Sequence, residues 1–127
     1  MIVQRALGRL PQAANEDGEF AMAARLWDGD LILATADQAV RLVIAGGKIT
    51  DASEASRDAT AQIRITGPAD GWAKMLQAKP EPFYQDVYGA QLHHGFWMQG
   101  AIEDVGPYYP ALRRLIVMAS GFPVSAK

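Results

Sequence analysis

The middle of the chain alternates short apolar runs with turn residues, and this pattern narrows the possible folds more than any other feature. Residues 31–35 are apolar, and residues 40–44 add β-branched side chains, both of which favour strands. Residues 37–38 indicate a turn between them, and residues 45–48 (AGGK) indicate a tight turn into Ile49, as in hairpins. The sequence therefore predicts an antiparallel meander.

A further strand is predicted beyond this meander. In the stretch AQIRITGP, Ile63 and Ile65 alternate with polar neighbours, which is the pattern of a half-buried strand. Residues 28–30 (DGD) are predicted as a turn, and the polar residues 51–60 as a loop or an edge of the sheet. Strand signals thus extend over the whole middle of the chain.

The sequence before the meander predicts helices. Phe20 lies in an alanine-rich stretch and Trp27 follows seven residues later, so one apolar face is predicted for a helix over residues 13–26, and Trp27 continues that face. Residues 1–12 predict a shorter helix ended by Pro11, because proline interrupts helical hydrogen bonding.

A helix is also predicted directly after the strand that carries Ile65. Pro68 suits the first turn of a helix. Trp72, Met75 and Leu76 follow at spacings that place them on one helix face, as an apolar stripe does. The prolines at positions 80 and 82 end this helix.

Two more helices are predicted towards the end of the chain. The first covers residues 83–92 and carries Phe83 and Val87 on one stripe. The second covers residues 111–120, after a break at residues 106–107 (GP). Its predicted buried stripe consists of Leu112, Leu115, Ile116 and Ala119.

Between these two helices, the stretch QLHHGFWMQGAIED holds both histidines of the chain and ends in two acids. Alternation predicts a strand over residues 95–103, in which Phe96, Met98 and Ile102 share one face. His94 has the same parity, so it is the one polar candidate on that face. The strand would therefore present an apolar surface with a single imidazole beside it.

Length and charge exclude several classes of protein. A chain of 127 residues has enough sequence for one core, so we expect a single domain over residues 1–127. The 12 basic and 14 acidic residues are spread along the chain, without the basic surface that nucleic-acid binding requires, so no nucleic-acid partner is expected. The absence of cysteine excludes disulfides, thiolate nucleophiles and cysteine-ligated metals.

The N-terminal sequence predicts a location. Arg5 and Arg9 interrupt its apolar residues, so it lacks the continuous apolar region of a signal peptide. No later stretch approaches the roughly 20 apolar residues of a membrane span. We therefore expect a cytoplasmic protein without stable membrane insertion.

The two histidines are candidates for a chemical site. Neighbouring side chains such as His93 and His94 point apart on a strand or a helix, so they do not chelate one ion, and neither a metal nor another cofactor is expected. A histidine beside a carboxylate remains a possible acid-base pair. The candidate carboxylates are Asp28, Asp30, Glu103 and Asp104.

The apolar stripes have two interpretations. Methionine adapts to irregular ligands, so Met22, Met75, Met98 and Met118 fit a cavity for varied apolar molecules. The same stripes also fit an ordinary core.

Four stretches in this order, LILATADQAVRLVIAGGKIT, IRITGPADGWAKMLQ, GFWMQGAI and YPALRRLIVMA, together with a leading helix, resemble the sterol carrier protein type 2 family. The resemblance spans about residues 26–119. It implies an α+β fold, in which helices cover a sheet of about five mainly antiparallel strands around an apolar cavity or tunnel.

The resemblance also implies a function. That function is non-catalytic binding, or transfer, of a lipid, a fatty acyl group or another apolar small molecule, without a metal. The C-terminal residues VSAK do not match the serine-lysine-leucine peroxisomal address of many eukaryotic members. The ligand-binding residues would be Trp72, Met75, Leu76, Phe83, Val87, His94, Phe96, Met98, Ile102, Leu112 and Leu115.

Two other functions stay open at this point. One is a small α+β enzyme of the polyketide cyclase and steroid isomerase type, which would use a histidine-carboxylate pair. The other is an accessory domain whose apolar face forms a homodimer or meets another protein.

Overall fold

A computed structural model of the chain describes residues 2–56, 58–77 and 87–120. Five strands in these ranges form one sheet: β1 (Gly29–Ala34), β2 (Ala39–Ala45), β3 (Lys48–Ala55), β4 (Ile63–Thr66) and β5 (Trp97–Gln99), in the order β3-β2-β1-β4-β5. Only the β1–β4 pairing is parallel among these strands, and the other three pairings are antiparallel. The predicted α+β fold with a mainly antiparallel sheet is confirmed.

The predicted meander corresponds to β1, β2 and β3. Gly46 and Gly47 form the turn between β2 and β3 with φ angles of 58° and 78°, a backbone conformation that glycine adopts without steric strain. The polar stretch after this turn continues to Ala55 as an edge strand, so the edge alternative is confirmed for its first half. The predicted turn at residues 28–30 is wrong in part, because Gly29 and Asp30 already pair with β2.

The connection from β3 to β4 crosses the sheet, because these two strands lie on opposite sides of β1 and β2. Ala59 and Ala61 of this connection pack against Ile32 and Ala34 of β1. We call this side of the sheet the outer face. The connection therefore covers the part of the outer face that would otherwise expose apolar side chains.

Three short helices precede the sheet: α1 (Ile2–Leu7), α2 (Leu10–Asn15) and α3 (Gly18–Ala24). The single helix predicted over residues 13–26 is wrong, because Asp17 interrupts it with an extended backbone and caps α3 by accepting a hydrogen bond from the Phe20 N–H at 2.7 Å. Pro11 does not end a helix either. It lies in the first turn of α2, where its missing N–H costs no hydrogen bond.

Within residues 67–77 and 87–120, three helices follow β4: α4 (Ala69–Met75), α5 (Val87–His93) and α6 (Ile102–Ser120). The strand predicted over residues 95–103 is wrong beyond Gln99, because Ile102 already begins α6. The predicted break at residues 106–107 is also wrong, since α6 contains both Pro107 and Pro110. Contacts on either side of Pro107 compensate for the lost hydrogen bond: Val105 is buried, and Tyr108 stacks on Trp27 at 4.9 Å.

The helices cover the face of the sheet opposite the crossing connection. Strand residues of this helical face form one continuous buried cluster with side chains from the helices, while alternate residues of β1 face the outer side. None of the helices in the described residues is both long and apolar enough to cross a membrane. The core therefore lies between a single sheet and the helices above it.

Candidate apolar binding site

Seven of the eleven predicted ligand-binding residues meet in the interior. They come from α4, its C-terminal end, α5, the residue before β5, and α6, and all seven join the cluster beneath the helices. Met98 of β5 is half-buried and packs against the same cluster. The seven are Trp72, Met75, Leu76, Val87, Phe96, Leu112 and Leu115.

Trp72 and Phe96 form the best-defined contact in this cluster. Their rings meet edge to face, with centroids 5.0 Å apart and planes 74° apart, an arrangement that aromatic pairs prefer. The indole Nε1 of Trp72 donates to the carbonyl oxygen of Ala34 at 2.9 Å, so its polar atom is satisfied inside the core. This bond ties α4 to the end of β1.

Two glycines make room for the Phe96 ring. A Cβ atom at Gly67 would lie 2.4 Å from the ring, and one at Gly71 would lie 2.9 Å from it, both closer than van der Waals contact allows. The ring therefore packs directly against the backbone between β4 and α4. The alternation pattern placed Phe96 in the interior correctly, but it gave no reason for the two glycines.

The methionines divide between the interior and the surface. Met75 is buried, while Met98 and Met118 are half-buried against the core. The pattern also predicts Met22 as a member of this set, but its side chain is 64% exposed. The apolar interior therefore has adaptable methionines near α4, β5 and α6, and the expectation for Met22 is wrong.

The remaining predicted residues are placed as follows. His94 follows α5, where its backbone N–H donates to the Ala90 carbonyl at 2.7 Å, and its side chain is half-buried. Phe83 lies outside the described residues, as do the side chains of His93 and Ile102.

Three of the carboxylates proposed as partners for a histidine have structural contacts. Asp28 accepts from the Gly46 N–H at 2.7 Å, and Asp30 pairs with the Arg41 guanidinium at 3.2 Å. Asp104 accepts from the Gln62 side-chain amide at 3.2 Å. No group of three or more histidine and acidic side chains in the described ranges is arranged to hold a metal ion.

Gln62 is a residue that sequence reasoning missed. Its Oε1 accepts from the Trp27 Nε1 at 2.8 Å, and its Nε2 donates to Asp104. Tyr108 stacks on the same indole and donates to the Leu26 carbonyl at 3.1 Å. These contacts hold the start of α6 against the sheet. The isolated glutamine before a strand carried no signal for this role.

A second polar contact holds α6 to α3. The Arg114 guanidinium donates to Asp17 through Nε at 2.9 Å and through Nη2 at 2.7 Å. Arg114 and the Phe20 N–H hold the pKa of Asp17 down, at about 2, since both stabilise the carboxylate. The contact raises the pKa of Arg114. The middle of α6 is therefore fixed above the core.

Three surface depressions formed by described residues, of about 260, 320 and 420 Å³, contain none of the predicted ligand-binding residues. Seven of the predicted residues lie instead within the packed interior, and Met98 packs against it. A ligand at these residues would therefore lie between the sheet and the helices.

A scan against protein-family models finds no match. A search of curated proteins finds none either. Solved structures do match over nearly the whole chain. A crystal structure of sterol carrier protein 2 is 23% identical, with a TM-score of 0.74 over 95% of both chains.

Two further solved structures also match this chain. The solution structure of a conserved hypothetical protein from Thermus thermophilus is 23% identical, with a TM-score of 0.66 over 98% of this chain and 91% of that one. The apo form of sterol carrier protein 2 from Yarrowia lipolytica is 10% identical, with a TM-score of 0.58 over 95% of this chain and 91% of that one. The chain has the sterol carrier protein 2 fold.

Proposed function

We propose that this protein binds a lipid, a fatty acyl group or a similar apolar small molecule between the sheet and helices α4 to α6, without catalysing a reaction on it. One observation supports the proposal: seven of the eleven side chains selected from the sequence as ligand-binding lie in one apolar interior. This interior lies in a fold shared with sterol carrier proteins. On this proposal, residues 1–127 act as one ligand-binding domain.

The chemistry of the interior fits such a ligand. The side chains that are fully buried in the described parts of the chain are all hydrophobic. Burial contributes about 0.8 kcal/mol per methylene, so an acyl chain gains affinity from its length without polar contacts. Met75 and Met98 would adapt to ligands of different shape, so specificity would be broad.

Helix α6 would control entry to this interior. Leu112 and Leu115 point into the cluster, while Arg114 and Tyr108 tie the outer side of the helix to α3 and to Trp27. A ligand that enters beneath α6 must displace these leucines. The two polar contacts would then return the helix to its closed position.

Lipid extraction and fluorescent fatty acid titration test the proposal. Solvent extracts of the purified protein are analysed by mass spectrometry, and the delipidated protein is titrated with a fluorescent fatty acid. We expect a co-purified apolar molecule and saturable binding, with a rise in melting temperature that grows with ligand concentration. The absence of both a co-purified lipid and fatty acid binding would refute the proposal.

Two variants of α6 show whether binding occurs at the predicted residues. Leu115→Phe adds volume inside the cluster, so we expect it to weaken fatty acid binding about tenfold or more, since overpacking costs about 1–3 kcal/mol. Val117→Phe is the matched control because Val117 is 54% exposed on the same helix. Circular dichroism confirms that both variants fold. Equal affinity in the two variants would place the ligand elsewhere.

A further inference from the structure

A groove of about 320 Å³ lies on the outer face of the sheet, on the side opposite the apolar interior. Arg64 and Thr66 of β4 alternate with Ile63 and Ile65, which point into the core, so Arg64 and Thr66 face outward. Their partners across the β4–β5 pairing are Gln99 and Trp97. The groove is lined by Asp58, Ala59, Thr60, Arg64, Thr66, Trp97 and Gln99.

The floor and one wall of this groove are held in place by hydrogen bonds. The Arg64 guanidinium donates through Nη1 to the Ala59 carbonyl at 2.6 Å and through Nε to Thr66 Oγ1 at 3.2 Å, which fixes the plane of the guanidinium. Arg41 Nη2 donates to the Thr60 carbonyl at 2.9 Å. The crossing connection is thereby held above the strands. Binding here would need little reorganisation.

Trp97 forms the opposite wall, and its environment differs from that of the other two tryptophans. Trp27 and Trp72 are fully buried and donate hydrogen bonds to Gln62 and to the Ala34 carbonyl. The Trp97 side chain is 61% exposed. Tryptophan is enriched among the residues that contribute most to binding, and an exposed indole is a stacking surface for planar rings.

The groove combines this stacking surface with hydrogen-bonding groups of both kinds. The formal charges of Arg64 and Asp58 cancel, and Gln99 adds an amide that both donates and accepts. A phosphate group would meet repulsion from Asp58, and an acyl chain would desolvate these polar groups without replacing their hydrogen bonds. The matching ligand is neutral, planar and polar at its edge.

We propose that this groove binds a neutral planar heterocycle of the nucleobase or nucleoside class, stacked on Trp97 and hydrogen-bonded at its edge by Asp58 and Gln99. The volume lies at the lower end of the range for small-molecule sites, so it accepts a single ring system. This site goes beyond the proposed lipid binding and does not depend on it, because the two sites lie on opposite faces of the sheet.

Proton-nitrogen NMR of the full chain, titrated with uridine or adenosine, tests the proposal. Three tryptophans give three indole N–H signals, and Trp97→Phe identifies the signal of Trp97. We expect this signal to shift saturably with a Kd on the order of 1 mM, as for a small fragment, while the signals of Trp27 and Trp72 stay in place. No saturable shift up to about 10 mM of either nucleoside would overturn the proposal.

Two variants and a charged ligand sharpen the test. Gln99→Ala and Asp58→Ala should each weaken nucleoside binding about threefold to tenfold, in line with the loss of one hydrogen bond. Gln12→Ala, an exposed change on α2, should leave binding unchanged. Unchanged affinity in both groove variants would overturn the assigned contacts. Tighter binding of uridine 5′-monophosphate than of uridine would overturn the assignment to a neutral ligand.

Discussion

Arg114 and Asp17 join α6 to α3 through two hydrogen bonds of 2.9 Å and 2.7 Å, one to each carboxylate oxygen. The same carboxylate accepts the Phe20 N–H at 2.7 Å and so caps α3. One side chain therefore starts a helix and holds a neighbouring helix. Its protonation would weaken both contacts at once, because a neutral carboxyl group is a poorer acceptor for both partners.

The pH dependence of stability should report this carboxylate. The pKa of Asp17 is lowered to about 2 in the folded state, below its value of about 3.9 in the unfolded chain. Its contribution is therefore complete above about pH 4 and is lost as the pH falls through about 2. Urea unfolding of wild type and Asp17→Asn from pH 6 to pH 2 should show a stability difference that shrinks on acidification.

Asparagine also caps helices, so Asp17→Asn isolates the ionic contact, and Asp17→Ala removes the cap as well. We expect Asp17→Ala to cost about 1 kcal/mol more than Asp17→Asn at neutral pH. A stability difference between wild type and Asp17→Asn that stays constant down to pH 2 would contradict the assigned pKa.

The close packing of Phe96 on Gly67 predicts opposite effects for two glycine substitutions. Gly67→Ala would place a Cβ atom 2.4 Å from the ring, so we expect a loss of about 1–3 kcal/mol. Gly106→Ala lies inside α6, where a Cβ atom meets nothing within 4 Å, so we expect a gain of about 0.5–1 kcal/mol. Denaturant unfolding measures the free energy of unfolding of both variants. Equal changes in the two variants would refute the close contact between Phe96 and Gly67.

The hydrogen bonds of Gln62 with Trp27 and Asp104 predict a loss of stability when the polar atoms of Gln62 are removed. Gln62→Met leaves the buried Nε1 of Trp27 without its acceptor, so we expect a loss of about 1–3 kcal/mol. Gln12→Met, at an exposed position on α2, should change stability by less than about 0.5 kcal/mol. Thermal unfolding of both variants gives the comparison, and similar melting temperatures would show that these hydrogen bonds contribute little.

The C-terminal end of α6 depends on the first helix. Arg5 Nη1 donates to the Ala119 carbonyl at 2.7 Å, and a cation at this helix end is favourable. Burial lowers the pKa of Arg5, but arginine stays charged at neutral pH. Arg5→Met should therefore speed amide hydrogen exchange in the last turn of α6 relative to its middle. Unchanged exchange there would show that the helix end is held by other contacts.

Apolar and β-branched runs between turn residues predicted β1 and β2, and alternation of period two predicted β4, whose Ile63 and Ile65 point into the core. The same period failed after Gln99. Only a short segment, residues 100–103, remains of the predicted strand after Gln99. The glycine at position 100 lies close to the Gln62 carbonyl with a φ of 153°, so the chain turns there into α6. A local pattern carries no signal for a turn that tertiary contact determines.

The helix errors have a similar physical origin. Pro107 on its own predicts a break in α6, but buried contacts from Val105 and Tyr108 on either side of it outweigh the lost hydrogen bond. The burial of the apolar residues was predictable because burial follows periodicity. The contacts of Gln62 and Arg114 were not, since they join residues 35 to 97 positions apart.

The parallel pairing of β1 with β4 also affects the newly made chain. Strands β1 to β3 leave the ribosome first and form a meander with short connections, whereas β4 follows only after the crossing segment. During that interval, the edge of β1 that later pairs with β4 exposes its unsatisfied backbone groups along an almost entirely apolar strand. Such an edge recruits strands from other chains. Translation that stalls before residue 63 should therefore yield aggregating fragments.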